Sequence, residues 1–476
     1  MQQFHPALGQ GTPSINTGFG SSAMASFFTR ETYNYDNRYY ATYTYRYDGS
    51  SNFGPKNRWA GFHSLAGSWR FTNEAFLRDV PWLSNGKLRI GWGQTGNANI
   101  GGSSWLATMS RMPTGLGLSY RPANIANEAV KWESQEQWNI GLDLSFLQDR
   151  ISLTFDWYRK ESKDMLMTMQ LPSYMGTQGN ASSALSAPKG NYGTLRNYGF
   201  EITLNVRPVV TKNFDWSSDI QFSINRNKLV ALQGTASAAI VGYGQWSDVV
   251  SMSTVGESLY NFYGYVVEGV YKDFNDIITS PISDKAPLNA DGTICTDPSK
   301  YNKSNTVWVG DLKFKDVNGD GRITEADKTN IGSPLPKFTF GWTNTFHYKN
   351  FDASIFVNDS VGNKVMNPGT SVPRAAINDP NDNDRISDRY IEDGSYIRLK
   401  NISVGYSFPK KSIQRLGLSN LRLSANIQNL LTITGYNGYD PEIGASTSDM
   451  NGYVYGMDNG RYPSPVTYSF GLNVSF

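Results

Sequence analysis

The residues best suited to chemistry lie in one run, DVNGDGRITEAD, from Asp316 to Asp327. Asp316, Asn318 and Asp320 supply side-chain oxygens at positions one, three and five of a calcium loop, and Gly321 permits the sharp turn at six. Arg322 is expected to offer its backbone carbonyl at seven and Ile323 to pack. Asp327 stands at twelve, where it reaches less far than a glutamate would. A structural calcium ion is therefore the expected cofactor. No helical pattern flanks the run, which argues against a paired sensor hand, and the same Asn and Gly steps also serve a plain turn.

Other chemistry finds little support. The only histidines are His5, His63 and His347, and none sits in a nucleophile-elbow context, so neither a serine triad nor a His-rich metal centre is expected. No carboxylate spacing singles out a glycosidase pair, and no phosphate-binding GxxxxGK[ST] pattern occurs. The chain is read as a non-enzyme. Rings in the segments between apolar runs, notably Trp105, Tyr243, Trp246, Tyr436 and Tyr439, are candidates for stacking on a sugar or peptide, against the plainer reading that they pack their own loops.

Positioning these residues falls to a set of alternating segments. VTYSFGLNVSF, residues 466–476, places Val466, Tyr468, Phe470, Leu472, Val474 and Phe476 on one face and only Thr, Ser, Gly and Asn on the other. The same period of two recurs at 39–47, 140–146, 151–157, 200–206, 216–224, 338–348, 351–357 and 421–427. With less regular segments beginning near Ala23, Ala60, Lys87 and Ile397, the count is about thirteen, each long enough for a tilted membrane crossing. Compact connections at 148–149, 349–350 and 409–419 alternate with long ones near 96–133, 163–195, 233–336, 367–394 and 430–465. Short turns on one side and long loops on the other are the asymmetry of an outer-membrane β-barrel, with the long loops outside the cell. A secreted array of β-sandwiches also alternates, but its strands are shorter and its loops do not sort by parity.

Composition agrees. Tyr 28, Phe 24 and Trp 12 make the chain aromatic-rich, while hydrophobic residues reach only 39%, as expected when half of every strand faces water. The balance of 43 basic against 41 acidic residues gives no nucleic-acid signal. Cys295 is the only cysteine, so no internal disulfide forms. The opening MQQFHPALGQGTPSINTG lacks a charged n-region and an apolar core, so an export signal is expected in a missing N-terminal part.

Longer motifs carry a resemblance. YRYDGSSNFGPKNRWAGFHSLAGSWRFTNEAF (45–76), KLRIGWGQTGNANIG (87–101), DLKFKDVNGDGRITEADKTNIGSPLPKFTFGWTNTF (311–346), YIEDGSYIRLKNISVGYSFP (390–409) and NLLTITGYNGYDPEIG (429–444) resemble the SusC/RagA family of TonB-dependent outer-membrane transporters. The resemblance implies a 22-stranded barrel with an N-terminal plug, of which this chain, residues 1–476, would be the C-terminal barrel part without the plug. It further implies import of glycan oligosaccharides or peptides across the outer membrane of a Gram-negative bacterium. The implied partners are a SusD-like surface lipoprotein as lid, the TonB complex acting on the missing N-terminal part, and the barrel-assembly machinery reading Tyr468, Phe470, Leu472, Val474 and Phe476. The segment 233–336 would be a long extracellular insertion carrying the 316–327 calcium-type loop. The alternative is a surface-exposed binding or adhesion barrel that does not transport.

Overall fold

The computed structural model describes residues 22–101, 104–115, 117–168, 185–232, 239–244, 248–368, 379–444 and 454–476. Thirteen strands form one antiparallel sheet in chain order. They are β1 (Met24–Tyr35), β2 (Tyr39–Ser50), β3 (Trp59–Arg70), β4 (Leu83–Asn97), β5 (Glu133–Phe146), β6 (Ile151–Thr168) and β7 (Lys189–Val210), followed by β8 (Phe214–Leu232), β9 (Thr339–Tyr348), β10 (Phe351–Ser360), β11 (Tyr396–Ser407), β12 (Asn420–Thr434) and β13 (Thr467–Ser475). This is the wall of an all-β transmembrane barrel, as the alternation predicted. Within the sheet, β1 and β13 each pair with one neighbour among the described residues.

The two ends of the wall differ. At one end lie 36–38, 147–150, 211–213 and 349–350, together with the somewhat longer 71–82 and 408–419. The tight turns are made by residues in the left-handed region: Asp36 and Asn37 at φ 50°, Gln148 at 59°, Asp149 at 62° and Lys349 at 51°. Asp and Asn tolerate that region better than most, and Asn34 Oδ1 accepts the backbone N–H of Asn37 to hold the first turn. At the other end are 51–58, 98–132, 169–188, 233–338, 361–395 and 435–466. β6, β7 and β8 run for 18, 22 and 19 residues. A tilted crossing needs only about 9–11, so these strands continue past the membrane on the long-loop side.

Register sorts the side chains. Leu88, Leu142, Phe155, Ile202, Phe222 and Phe340 face one another across six successive strands, forming an apolar row on the outward face. Tyr47 stacks on Trp59 with ring centroids 5.1 Å apart at the long-loop end of β2 and β3, while Trp69 pairs with Tyr39 at the short-turn end. Together they give the two aromatic girdles that bracket a lipid-facing band. The opposite face carries charge. Arg89 on β4 bridges Asp143 at 2.7 Å and Asp156 at 3.0 Å, and Arg422 on β12 meets Asp352 on β10 at 2.6 Å. Gly141 makes the first bridge possible, because a Cβ there would lie 2.5 Å from Arg89 Cζ. His63 lies in the outward row, and its Nδ1 shares a hydrogen bond with the Tyr43 hydroxyl at 2.9 Å, which gives each of those two atoms a polar partner. His347 pairs in register with Asp215 and Asp352 on the polar face.

Candidate extracellular site

The long connections build their own packed layer above the wall. Strands Ala239–Tyr243, Val249–Thr254, Phe262–Gly264 and Thr329–Gly332 form a four-stranded sheet. Val250 and Phe262 from this sheet pack with Met366 and Tyr390 from the 361–395 connection and with Val454 and Met457 from the last one. Three separate loops thus share one core, and the segment predicted at 233–336 does not stand alone.

Polar groups join the same layers. Asn383 Nδ2 donates to Asp311 at 3.1 Å, and its Oδ1 accepts the backbone N–H of Leu312 at 2.7 Å. Asn381, also buried, accepts from the Ser283 hydroxyl at 3.0 Å. Arg385 lies over the rings of Tyr265 and Phe314, 5.0 and 4.8 Å from their centroids, and meets Asp284 at 3.2 Å. Burial pushes the Tyr265 hydroxyl up to about 12. That hydroxyl donates to Glu325 at 3.2 Å, which ties the ring to the calcium-type loop.

In that loop, Gly319 and Gly321 adopt φ of 76° and 80°, so the turn requires them. Asp316 accepts the backbone N–H of Gly319 at 2.6 Å and of Gly321 at 2.8 Å; Asn318 accepts from Asp320, and Asp320 accepts from Arg322. Each oxygen keeps a second lone pair, so Asp316, Asn318, Asp320 and the Arg322 carbonyl suit a hard cation. Ile323 is buried against Tyr265, Leu312 and Phe314. Asp327 is turned inward: fully buried, it accepts the backbone N–H groups of Val317, Asn318 and Thr324. Burial would raise its carboxyl, but those three donors overcome the effect and hold it below the ordinary range. Among the described residues, no three His, Cys, Asp or Glu side chains converge as a metal cluster. A cation would therefore be held by two carboxylates, Asp316 and Asp320, together with the Asn318 amide oxygen and the Arg322 carbonyl.

The candidate rings part company. Trp105 packs against the core formed by Phe53, Phe62, Ile100, Val130 and Trp132. Tyr436 is buried, and its hydroxyl donates to Asp458 at 2.6 Å; burial and that carboxylate both push its pKa well up. Tyr243 is half-buried in the four-stranded sheet, and Trp246 lies outside the described residues. Tyr439 is 79% exposed and Tyr462 is 85% exposed, both in the last long connection. The structure thus leaves Tyr439 and Tyr462 as rings open to a ligand, while Trp105 and Tyr436 are occupied in packing.

An ion cluster with a buried Arg398–Asp440 centre and a more exposed Glu442 and Lys400 went unseen in the sequence. Arg398 on β11 meets Asp440 at 2.5 Å and Glu442 at 2.7 Å, and Lys400 shares Glu442 at 3.0 Å. Arg398 Nε also donates to Thr432 Oγ1 on β12 at 2.8 Å, so the last loop is clamped to the rim of the wall. The pairing needs residues 42 positions apart, and only the IRLK and YDPEIG segments themselves could have hinted at it.

Comparison with known proteins follows the same lines. Residues 3–430 match the family described as TonB dependent receptor-like, beta-barrel. TonB-dependent receptor P3 of Formosa agariphila is 34% identical over 95% of this chain and 45% of its own length. TonB-dependent receptor SusC of Bacteroides thetaiotaomicron is 31% identical over 96% of this chain and 44% of its own. The chain thus spans about half the length of the curated relatives it matches. The RagAB peptide transporter superposes with a TM-score of 0.74 at 23% identity, over 96% of this chain and 48% of that one, which shows the shared fold. A thirteen-stranded wall with two girdles and a layer of packed loops at one end agrees with these matches. The chain belongs to the TonB-dependent receptor-like β-barrel family of the outer membrane.

Proposed function

We propose that this chain forms the larger part of the barrel wall and the extracellular face of an importer of large nutrients, either glycan oligosaccharides or peptides. The observation that carries the reading is the pooling of three long loops into one core above a wall whose inner face is charged. Such a layer offers a rigid platform on which a SusD-like lipoprotein lid can close. Tyr439 and Tyr462 would meet substrate beneath it, because exposed rings beside polar groups suit sugar and peptide alike. Movement through the pore would be driven by the TonB complex acting on a plug supplied by the rest of the protein. A calcium ion held by Asp316, Asn318, Asp320 and the Arg322 carbonyl would stiffen the platform, and Asp327 would close the loop from behind.

The test is uptake. Cells lacking the gene are expected to lose growth on one class of large nutrient, oligosaccharide or peptide, and to recover it with the full-length gene. A lipoprotein is expected to copurify with the transporter. Undiminished uptake of both classes would overturn the import reading and leave a surface-binding barrel.

A further inference from the structure

The outward face carries a feature that neither import nor assembly uses. β3 and β4 pair in register only as far as Ser64 opposite Gly93, and above that point the two strands part. The notch between them holds a cavity of about 310 Å³ whose lining includes Lys56, Asn57, Trp59, Gln94, Lys131 and Ser134. Trp59 is the ring on which Tyr47 and Phe27 stack, so the notch opens at the height of the aromatic girdle nearer the long loops. In a barrel oriented with those loops outside the cell, that is the headgroup zone of the outer leaflet.

Charge continues alongside. Lys131 meets Asp164 at 2.8 Å, and the neighbouring outward rows carry Arg159, Lys163 and Arg196. Glu136 and Glu161 tie these together: Lys163 meets Glu136 at 2.6 Å, and Arg196 meets Glu161 at 2.8 Å. Glu136 also accepts the ring N–H groups of Trp92 and Trp138 at 3.2 and 3.3 Å, which fixes this charged band directly above two girdle tryptophans. Counting the named groups, five cations face three carboxylates in a strip that borders the lipid-facing surface.

We propose that this notch binds the phosphorylated sugar headgroup of an outer-leaflet saccharolipid of the lipid A type. Lys56 and Lys131 meet the phosphate, Trp59 stacks on a sugar ring, and its hydroxyls hydrogen-bond to the Gln94 amide and to the Asn57 Oδ1, the Asn57 Nδ2 being held by the carbonyls of Ala129 and Val130. The acyl chains then run down the apolar rows below. An anionic partner follows from the excess of lysine and arginine, a sugar from the ring and amides, and a membrane lipid from the position at the girdle.

The full-length transporter, purified from native outer membranes, is stripped of lipid, incubated with bis-phosphorylated lipid A and weighed by native mass spectrometry. Wild type is expected to retain the lipid, and Lys56→Glu with Lys131→Glu to retain about tenfold less. Should the double variant fail to reach the membrane, wild type offered lipid A stripped of its phosphates gives the same contrast, with retention expected to fall as far. Equal retention with and without the phosphates, or equal retention by variant and wild type, would overturn the proposal. So would finding that the charge reversal removes a copurifying protein while bound lipid is unchanged.

Discussion

Arg398 and Asp440 form an ion pair at 2.5 Å with both side chains nearly excluded from water, and the pair joins the rim of the barrel wall to the last extracellular loop. Removing one partner of such a pair leaves an uncompensated buried charge, which costs about 3–5 kcal/mol, whereas replacing both with apolar groups costs far less. Arg398→Met is therefore expected to free the 435–466 connection, seen as faster protease cleavage there with the wall intact. The double change Arg398→Met with Asp440→Leu is expected to recover most of the protection. Equal sensitivity of the single and double variants would show that the pair does not anchor the loop.

The same pair predicts an acid response. Burial alone would raise the Asp440 carboxyl, but the backbone N–H groups of Glu442 and Ser464 and the Arg398 guanidinium hold it down to about 2. An unfolded aspartate titrates near about 3.9. A depressed folded value stabilises the loop above the unfolded value, and that contribution is lost as pH falls from roughly 4 through 2. The protection factor of amides in 435–444, measured against the intrinsic exchange rate at each pH, is expected to stay level above about pH 4 and to fall below it. Asp440→Asn should remove this step, and a step of unchanged size in the variant would assign it to another group.

How far the sequence could be read follows from which interactions are local. Alternation at 140–146 and 151–157 marked β5 and β6, because a half-lipid, half-water wall writes a period of two into every strand. Parity of the connections gave the wall its direction for the same reason. Trp105 and Tyr436 could not be assigned this way, since whether a loop ring packs or stays open depends on partners such as Phe53 or Asp458 that are distant in sequence. The calcium-type loop was legible as spacing, yet the inward turn of Asp327 was not. It is set by the backbone donors at Val317, Asn318 and Thr324.

That inward turn separates two roles within one loop. Asp316→Ala with Asp320→Ala removes cation donors that sit at the surface, so the 311–332 segment is expected to lose any protease protection that calcium gives to wild type. Asp327→Ala removes the acceptor of three part-buried N–H groups, at a cost of about 1–3 kcal/mol for any that water does not reach. The segment should then open whether or not calcium is present. Calcium protecting the Asp316 and Asp320 double variant as well as it protects wild type would remove the metal from this loop.

The last strand tests assembly apart from transport. On β13, Tyr468, Phe470, Leu472 and Val474 pair in register with Ile427, Ala425, Leu423 and Leu421 of β12, which places the four on the outward face. Phe476 follows them with its ring 93% exposed. Phe476 lies beyond the last β12–β13 register pair, Asn420 with Ser475, so deleting it breaks no ladder pair with β12 and should change thermal stability by less than about 0.5 kcal/mol once the barrel has formed. If the ring is read by the barrel-assembly machinery, Phe476→Asp and deletion of Phe476 are both expected to lower the amount of protein in the outer membrane several-fold. The fraction that does insert should melt as wild type does. Unchanged outer-membrane levels would take the assembly role away from Phe476, while lowered levels with a lowered melting temperature would make the ring part of the folded wall.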